Sequence, residues 1–166
     1  MRSIFTLLMI IMFSAYNATS QTSCGPSGVR TEININADPQ TIWKILTDVK
    51  KYPDWNPYIY EIKGDIQPGK MVRFRMKGSP KERKFSAKIL AFDPGKEWAW
   101  GGSIGFLFKA RHYFILESID KDHTKLIQGE TWTGWFGKGF GKTVYKDVCE
   151  NFPKMNEKLK ELSEKH

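Results

Sequence analysis

The sequence predicts an α+β domain in which a curved antiparallel sheet packs against one long C-terminal helix. Three observations carry that prediction. Turn residues recur every eight to twelve positions between alternating apolar and polar runs, the mark of a strand meander. Residues 139–164 carry one apolar stripe at helical spacing. Between the first strand and the meander, residues 37–57 pack a capped helix, a second short helix or turn, and a rigid Trp55-Asn56-Pro57 exit.

Residues 1–20 read as a signal peptide outside the domain. Arg2 supplies a positive start, residues 4–13 are apolar apart from Thr6, and Ala18-Thr19-Ser20 forms a cleavage signal before Gln21. The apolar run is about ten residues, well short of the roughly twenty that span a bilayer. No stable membrane span is therefore expected, and an uncleaved anchor fits less well. Lipidation at Cys24 is a weaker option, because Gln21-Thr22-Ser23 lacks the apolar residue usual before a lipidated cysteine. The expected location is secreted or periplasmic. Residues 21–28 read as a flexible tail and residues 29–166 as a single domain. About 145 residues remain after cleavage, enough for a real core.

The formal charge is +8, or +7 once Arg2, the only charged side chain of the leader, is removed. Lysines are scattered and interleaved with acids, which describes a solvated surface rather than a nucleic-acid footprint. No nucleic-acid partner is expected, and the oligomeric state is open. Export to an oxidising compartment makes Cys24 and Cys149 candidates for a disulfide between the tail and the final helix. In the alternative, Cys24 is free in the tail and Cys149 is a small buried helix residue. Neither cysteine sits in a catalytic motif.

Residues 29–37 alternate through Thr31, Ile33 and Ile35, a first strand. Asp38 can accept the free amide hydrogens of a first helical turn, and Pro39 suits the first helical position. Ile42, Ile45, Leu46 and Val49 then share one helix face. Pro53 is expected to end that helical segment, since proline disfavours helical geometry in the residue before it. Residues 58–63 alternate again, and Pro68-Gly69 turns the chain into 71–77, with Val72, Phe74 and Met76 on one face. Gly78-Ser79-Pro80 leads to 84–92, and Asp93-Pro94-Gly95 to 97–100. A glycine-rich loop, 101–105, precedes a long strand at 108–118; a turn at 120–123 precedes the last strand, 125–135. In the final helix Val144, Val148, Phe152, Met155, Leu159 and Leu162 form the stripe, and Pro153 is expected to bend or break it near Cys149.

This chain resembles the START-like, helix-grip proteins of the SRPBCC superfamily, and within them the polyketide cyclase/dehydrase-type members. The resemblance covers nearly all of the mature chain. It rests on Ala37-Asp38-Pro39 with Ile42-Trp43 and Ile45-Leu46-Thr47-Asp48, and on Tyr52-Pro53 with Trp55-Asn56-Pro57. It continues through Trp100, Phe106 to Phe108, His112-Tyr113-Phe114, Leu116-Glu117, Thr124, Glu130 and Gly134, and ends with Met155-Asn156 and Leu159-Lys160. The resemblance implies a helix-grip fold: a seven-stranded antiparallel sheet around the C-terminal helix, two short helices between the first two strands, and a cavity for an apolar ligand. It leaves the function open, since carriers, receptors and cyclases share this fold. Gln128 stands where such chains often have a histidine, which weakens a borrowed acid–base assignment.

Strand parity supplies the site candidates. His112, Phe114 and Leu116 share one face, as do Leu126, Gln128, Glu130 and Trp132 on the following strand. If these faces line the cavity, an imidazole and a carboxylate meet among aromatics. Glu130 and His112 are then the candidate catalytic pair, as base and acid in a cyclisation or dehydration. The plainer reading makes Glu130 a structural or ligand-orienting acid. The expected ligand-binding residues are Trp55, Trp100, His112, Phe114, Gln128, Glu130, Trp132, Phe152 and Met155. The expected partner is a small hydrophobic molecule: a lipid, a sterol or an aromatic polyketide.

No cofactor and no metal are expected, because the only histidines are His112, His123 and His166 and no paired histidine or cysteine has ligand spacing. No Gly-x-Ser-x-Gly elbow occurs. Gly137-Lys138-Gly139-Phe140-Gly141-Lys142-Thr143 resembles a phosphate loop, yet Phe136 stands where that loop needs glycine. It reads instead as a hinge, with Trp135, Phe136 and Phe140 as a rim over the cavity mouth.

Overall fold

The computed structural model describes residues 20–78 and 81–165. Residues 1–19, on which the expected signal peptide falls, the Ser79-Pro80 part of one expected turn, and His166 lie outside the described residues. The chain runs β1 (Gln21–Gly25), β2 (Gly28–Ile35), α1 (Pro39–Thr47), a single 3-10 turn (Val49–Lys51) and α2 (Tyr52–Trp55). There follow β3 (Ile59–Lys63), β4 (Met71–Met76), β5 (Arg83–Asp93), β6 (Glu97–Ile104), β7 (Phe108–Ser118), β8 (Thr124–Thr133) and α3 (Gly137–Ser163). Among the described residues the strands form one antiparallel sheet in the order β1-β2-β8-β7-β6-β5-β4-β3. Between β2 and β3, α1 and α2 carry the chain across to the far edge of the sheet.

The helix-grip architecture is therefore present, with eight strands in place of seven. The extra strand is the segment expected as a flexible tail. Gln21–Gly25 pairs with β2 from Gln21 opposite Glu32 to Gly25 opposite Gly28. Its sequence, Gln-Thr-Ser-Cys-Gly, has no apolar alternation because β1 is an exposed edge strand with no buried face. Hydrogen-bond pairing and a bond between Cys24 and Cys149, whose Cα atoms are 5.9 Å apart, hold it instead. The two short helices accordingly lie between the second and third strands.

Asp38 caps α1, its Oδ1 accepting from the amides of Gln40 at 2.8 Å and Thr41 at 3.1 Å. Ile42, Trp43 and Leu46 face the core. Pro53 does not end this helix. It lies in the first turn of α2, where its missing N–H costs nothing, and α1 has already stopped at Thr47. Asn56 then fixes the exit, its Oδ1 accepting from the amides of Tyr58 and Ile59, both at 2.9 Å.

Two other expectations shift. The glycine-rich segment 101–105 is mostly strand, since β6 continues to Ile104 and pairs Gly101 with Arg111 and Gly102 with Ala110. The final helix starts at Gly137 and runs without a break through Pro153 to Ser163. Its first turns lie very close to β8, and only glycine fits there: a side chain at Gly137 would meet the Trp132 backbone at 2.8 Å. The core extends from α1 and α3 across the inner face of the sheet, and where α3 packs on β2 and β8 it is built on Ile33, Ile35, Leu126, Phe152, Met155 and Leu159.

Candidate functional site

α3 touches β8 at its first turns, but the strands beyond β8 stand away from its first half and leave a cavity of about 530 Å³. One wall is α3, through Phe140, Val144, Val148 and Phe152; the other is the sheet, from Ile59 at the start of β3 across to Glu130 on β8. Small residues keep it open. Ala87 on β5, Gly101 and Gly102 on β6, and Ala110 on β7 all line it, and none has the bulk to reach α3. The walls are mainly apolar, with Met76, Phe85, Trp100 and Phe108 among them. Such a volume lies within the range of small-molecule sites.

The polar end is built by cross-strand register. His112 on β7 stands opposite Glu130 on β8. His112 is buried in a ring of aromatics: its imidazole stacks on Trp100 at 4.1 Å, meets Phe152 edge to face at 4.9 Å and lies tilted to Phe114 at 5.0 Å. Burial lowers its pKa from the ordinary 6.5, and the nearby Glu130 carboxylate offsets this only in part. The imidazole is therefore neutral at pH 7. His112 Nδ1 and Glu130 Oε2 are 3.9 Å apart, too far for a hydrogen bond. Glu130 Oε1 accepts instead from the Trp132 indole at 3.1 Å. His112 Nε2 is buried with no partner among the described residues. A buried polar atom left unpaired is costly, and here it belongs to a cavity-lining side chain.

A second polar group stands where α3 crosses the sheet. The Tyr58 hydroxyl donates to Asp147 Oδ2 at 2.8 Å, and the Arg83 guanidinium pairs with the same oxygen. Burial pushes the Tyr58 phenol well above its usual range, so it stays protonated. Tyr58 and Arg83 both line the cavity. The ion pair ties β5 to α3 across its width.

Of the residues expected to contact a ligand, Trp100, His112, Glu130 and Phe152 come together in the cavity wall. Phe114, Gln128, Trp132 and Met155 do not line it. Gln128, Trp132 and Met155 lie where α3 has closed on β8: Gln128 Nε2 reaches Met155 Sδ at 3.6 Å, and Trp132 is packed under Gly137 and Gly141. Phe114 is buried among Trp98, Trp100 and His112. Strand parity places Phe114, Gln128 and Trp132 on the correct face, but distance from the helix decides whether a face borders space or packing. Trp55 stands elsewhere, edge to face with Tyr52 at 5.0 Å, in a surface hollow beside Ile45 and Leu162.

Residues that sequence reasoning missed include Tyr58, Arg83, Phe85 and the small set at 87, 101, 102 and 110. The juxtaposed small residues on neighbouring strands were the available signal. Among the described residues, no group of three or more histidines, cysteines, aspartates or glutamates can hold a metal ion. No described helix is long and apolar enough to cross a membrane.

Solved structures share this architecture at low identity. A Rhodobacter sphaeroides protein aligns over 87% of this chain and 97% of its own, with TM-score 0.66 and 13% identity. The Zhui aromatase/cyclase of Streptomyces sp. R1128 aligns over 81% and 92%, with TM-score 0.61 and 15% identity. A START superfamily protein from Mycobacterium smegmatis aligns over 84% and 98%, with TM-score 0.63 and 19% identity. These likenesses establish the fold. No curated protein matches the sequence. The family described as polyketide cyclase/dehydrase and lipid transport matches residues 27–164, a span that contains every residue lining the cavity, and the chain belongs to that family.

Proposed function

We propose that this protein binds a small, largely apolar molecule of lipid, sterol or aromatic polyketide type in the cavity between sheet and α3. The observation that carries this reading is the union of an apolar hollow with a buried, unpartnered His112 Nε2. A ligand with an apolar body and one hydroxyl or carbonyl group would satisfy both. We also assign the protein to an extracytoplasmic, oxidising compartment. The leader at residues 1–20 and the Cys24–Cys149 bond support that assignment.

Mass spectrometry of organic extracts from the natively purified protein tests the binding reading. A co-purifying apolar compound is expected, retained by the wild type and depleted in His112→Ala. An empty protein whose melting temperature no apolar library raises would sink the reading.

Enzymatic proton transfer is the second reading, favoured by the register that sets His112 opposite Glu130. Glu130 would act as base and His112 as acid. A neutral imidazole is a weak proton donor, and for that reason binding stands first. Under the enzyme reading Glu130→Gln abolishes turnover and leaves ligand retention intact. Activity that survives this change removes Glu130 as the base.

A further inference from the structure

The mouth of the cavity carries an apolar rim that nothing among the described residues covers. Ile104 and Phe106 stand at the β6–β7 turn, Trp135 and Phe136 between β8 and α3, and Phe140 one turn into α3. All five are between 44% and 80% exposed. The two loops are seated on each other. The Trp135 amide donates to the Phe106 carbonyl at 3.4 Å, and the Phe136 amide to the Leu107 carbonyl at 2.9 Å. Gly134 permits this approach: its φ is +87°, and a side chain there would lie 2.8 Å from both the Phe106 and Leu107 carbonyl oxygens. Phe108 and Phe140, edge to face at 5.0 Å, continue the rim into the cavity wall.

The charge around this rim has one sign. Residues 98–116 and 131–146, which supply both loops and their flanks, contain no aspartate or glutamate. Lys109, Lys138 and Lys142 are exposed beside the apolar residues, and the structure pairs none of them with an acid among the described residues. Elsewhere on α3 the pattern differs, as in Lys154 with Glu150 and Lys158 with Glu161.

Five large exposed apolar side chains in one place mark a contact surface. Protein interfaces take aromatics but are depleted in lysine. An anionic bilayer takes the combination found here. Tryptophan and phenylalanine settle at headgroup level, and unpaired lysines meet the lipid phosphates.

We propose that the rim of Ile104, Phe106, Trp135, Phe136 and Phe140 docks the protein on an anionic lipid surface, with the cavity mouth facing the bilayer. Docked in this way, a ligand passes between cavity and membrane without crossing water. The transfer step rests on the ligand-binding reading; the docking itself does not.

Vesicle flotation with the mature chain separates the two. The expected result is binding to vesicles of phosphatidylcholine with phosphatidylglycerol, weaker binding to phosphatidylcholine alone, and a decline with added salt. Phe106→Ser with Trp135→Ser, residues outside the cavity wall, should weaken binding by at least about tenfold without lowering the melting temperature. Lys138→Glu with Lys142→Glu should weaken it by roughly tenfold or more on the anionic vesicles only. No binding to either vesicle, or binding that both double variants leave unchanged, overturns the docking. Self-association that the serine variant abolishes, with no vesicle binding, also overturns it, because a second copy then covers the rim. Extraction of the same samples for bound ligand reports on the cavity independently, so either reading can fail while the other stands.

Discussion

His112 shows how one buried side chain couples the site to stability. Its folded pKa lies below the 6.5 of an unfolded histidine because burial opposes the charge. Below that value the unfolded chain takes up a proton that the folded chain refuses. The unfolded state then binds more protons, so stability falls as pH falls through about 6.5 toward the folded value. Every tenfold loss of proton affinity on folding corresponds to about 1.4 kcal/mol of stability lost across that window. Urea unfolding of the wild type should therefore show a lower midpoint at about pH 5.5 than at about pH 7.5, and His112→Phe should show a smaller difference. Equal pH profiles for the two proteins would mean that His112 is not held neutral by burial.

At the scale of elements, the cavity follows from what neighbouring strands lack. Ala110 on β7 stands opposite Gly102 on β6 in a part of the sheet that faces the first half of α3. Ala110→Phe fills the hollow with a ring while leaving the backbone pairing intact. Retained ligand in native extracts should disappear, and the melting temperature should stay the same or rise slightly because empty space is filled. A variant that keeps its ligand at wild-type stoichiometry would place the ligand elsewhere. Phe152 gives the contrast. It packs against His112 and Tyr58 from α3, so Phe152→Ala removes core contact as well as cavity wall. Its expected cost is about 3–5 kcal/mol in chemical unfolding. A cost below about 1 kcal/mol would mean that α3 is not anchored there.

At the scale of the whole molecule, the Cys24–Cys149 bond closes a loop of 125 residues and ties the edge strand to the long helix. In the chain-entropy account a loop of this length restricts the unfolded state by close to 5 kcal/mol, and natural bridges in small domains commonly deliver about 2–5 kcal/mol. Cys24→Ser should therefore lower the unfolding free energy by about that amount, with Cys149→Ser equivalent to it. Wild-type protein unfolded with and without reductant provides the check. Indifference to reductant would show that β1 is held by its ladder alone. The same bond joins β1 to α3, so its loss should appear first as hydrogen exchange in residues 21–25.

Much of this organisation was legible beforehand. Asp38 and Pro39 announce α1, the periodicity of Val148, Phe152, Met155 and Leu159 announces α3, and turn residues divide the meander. These are local signals, set by capping, by 3.6-residue spacing and by residues that break strands. Strand parity likewise placed His112 and Glu130 on a shared face, because side chains alternate with a period of two. β1 escaped notice because a polar edge strand is specified by its partner strand and its bridge rather than by its own pattern.

By itself, then, the sequence determined the elements other than β1, their order, most of the faces they bury and the shared face of His112 and Glu130. Only the tertiary structure decided which part of the buried face borders space. Gln128 sits under the helix and touches Met155 of α3, whereas Ala110 and Trp100, on the same sheet as Gln128, face the hollow. Periodicity reports which way a side chain points and carries no information about how far away the opposite wall stands. That distance is set by the curvature of the sheet and by the glycines at 137 and 141 that draw α3 onto β8. It is a property of elements packed at long range, fixed when the whole chain has folded.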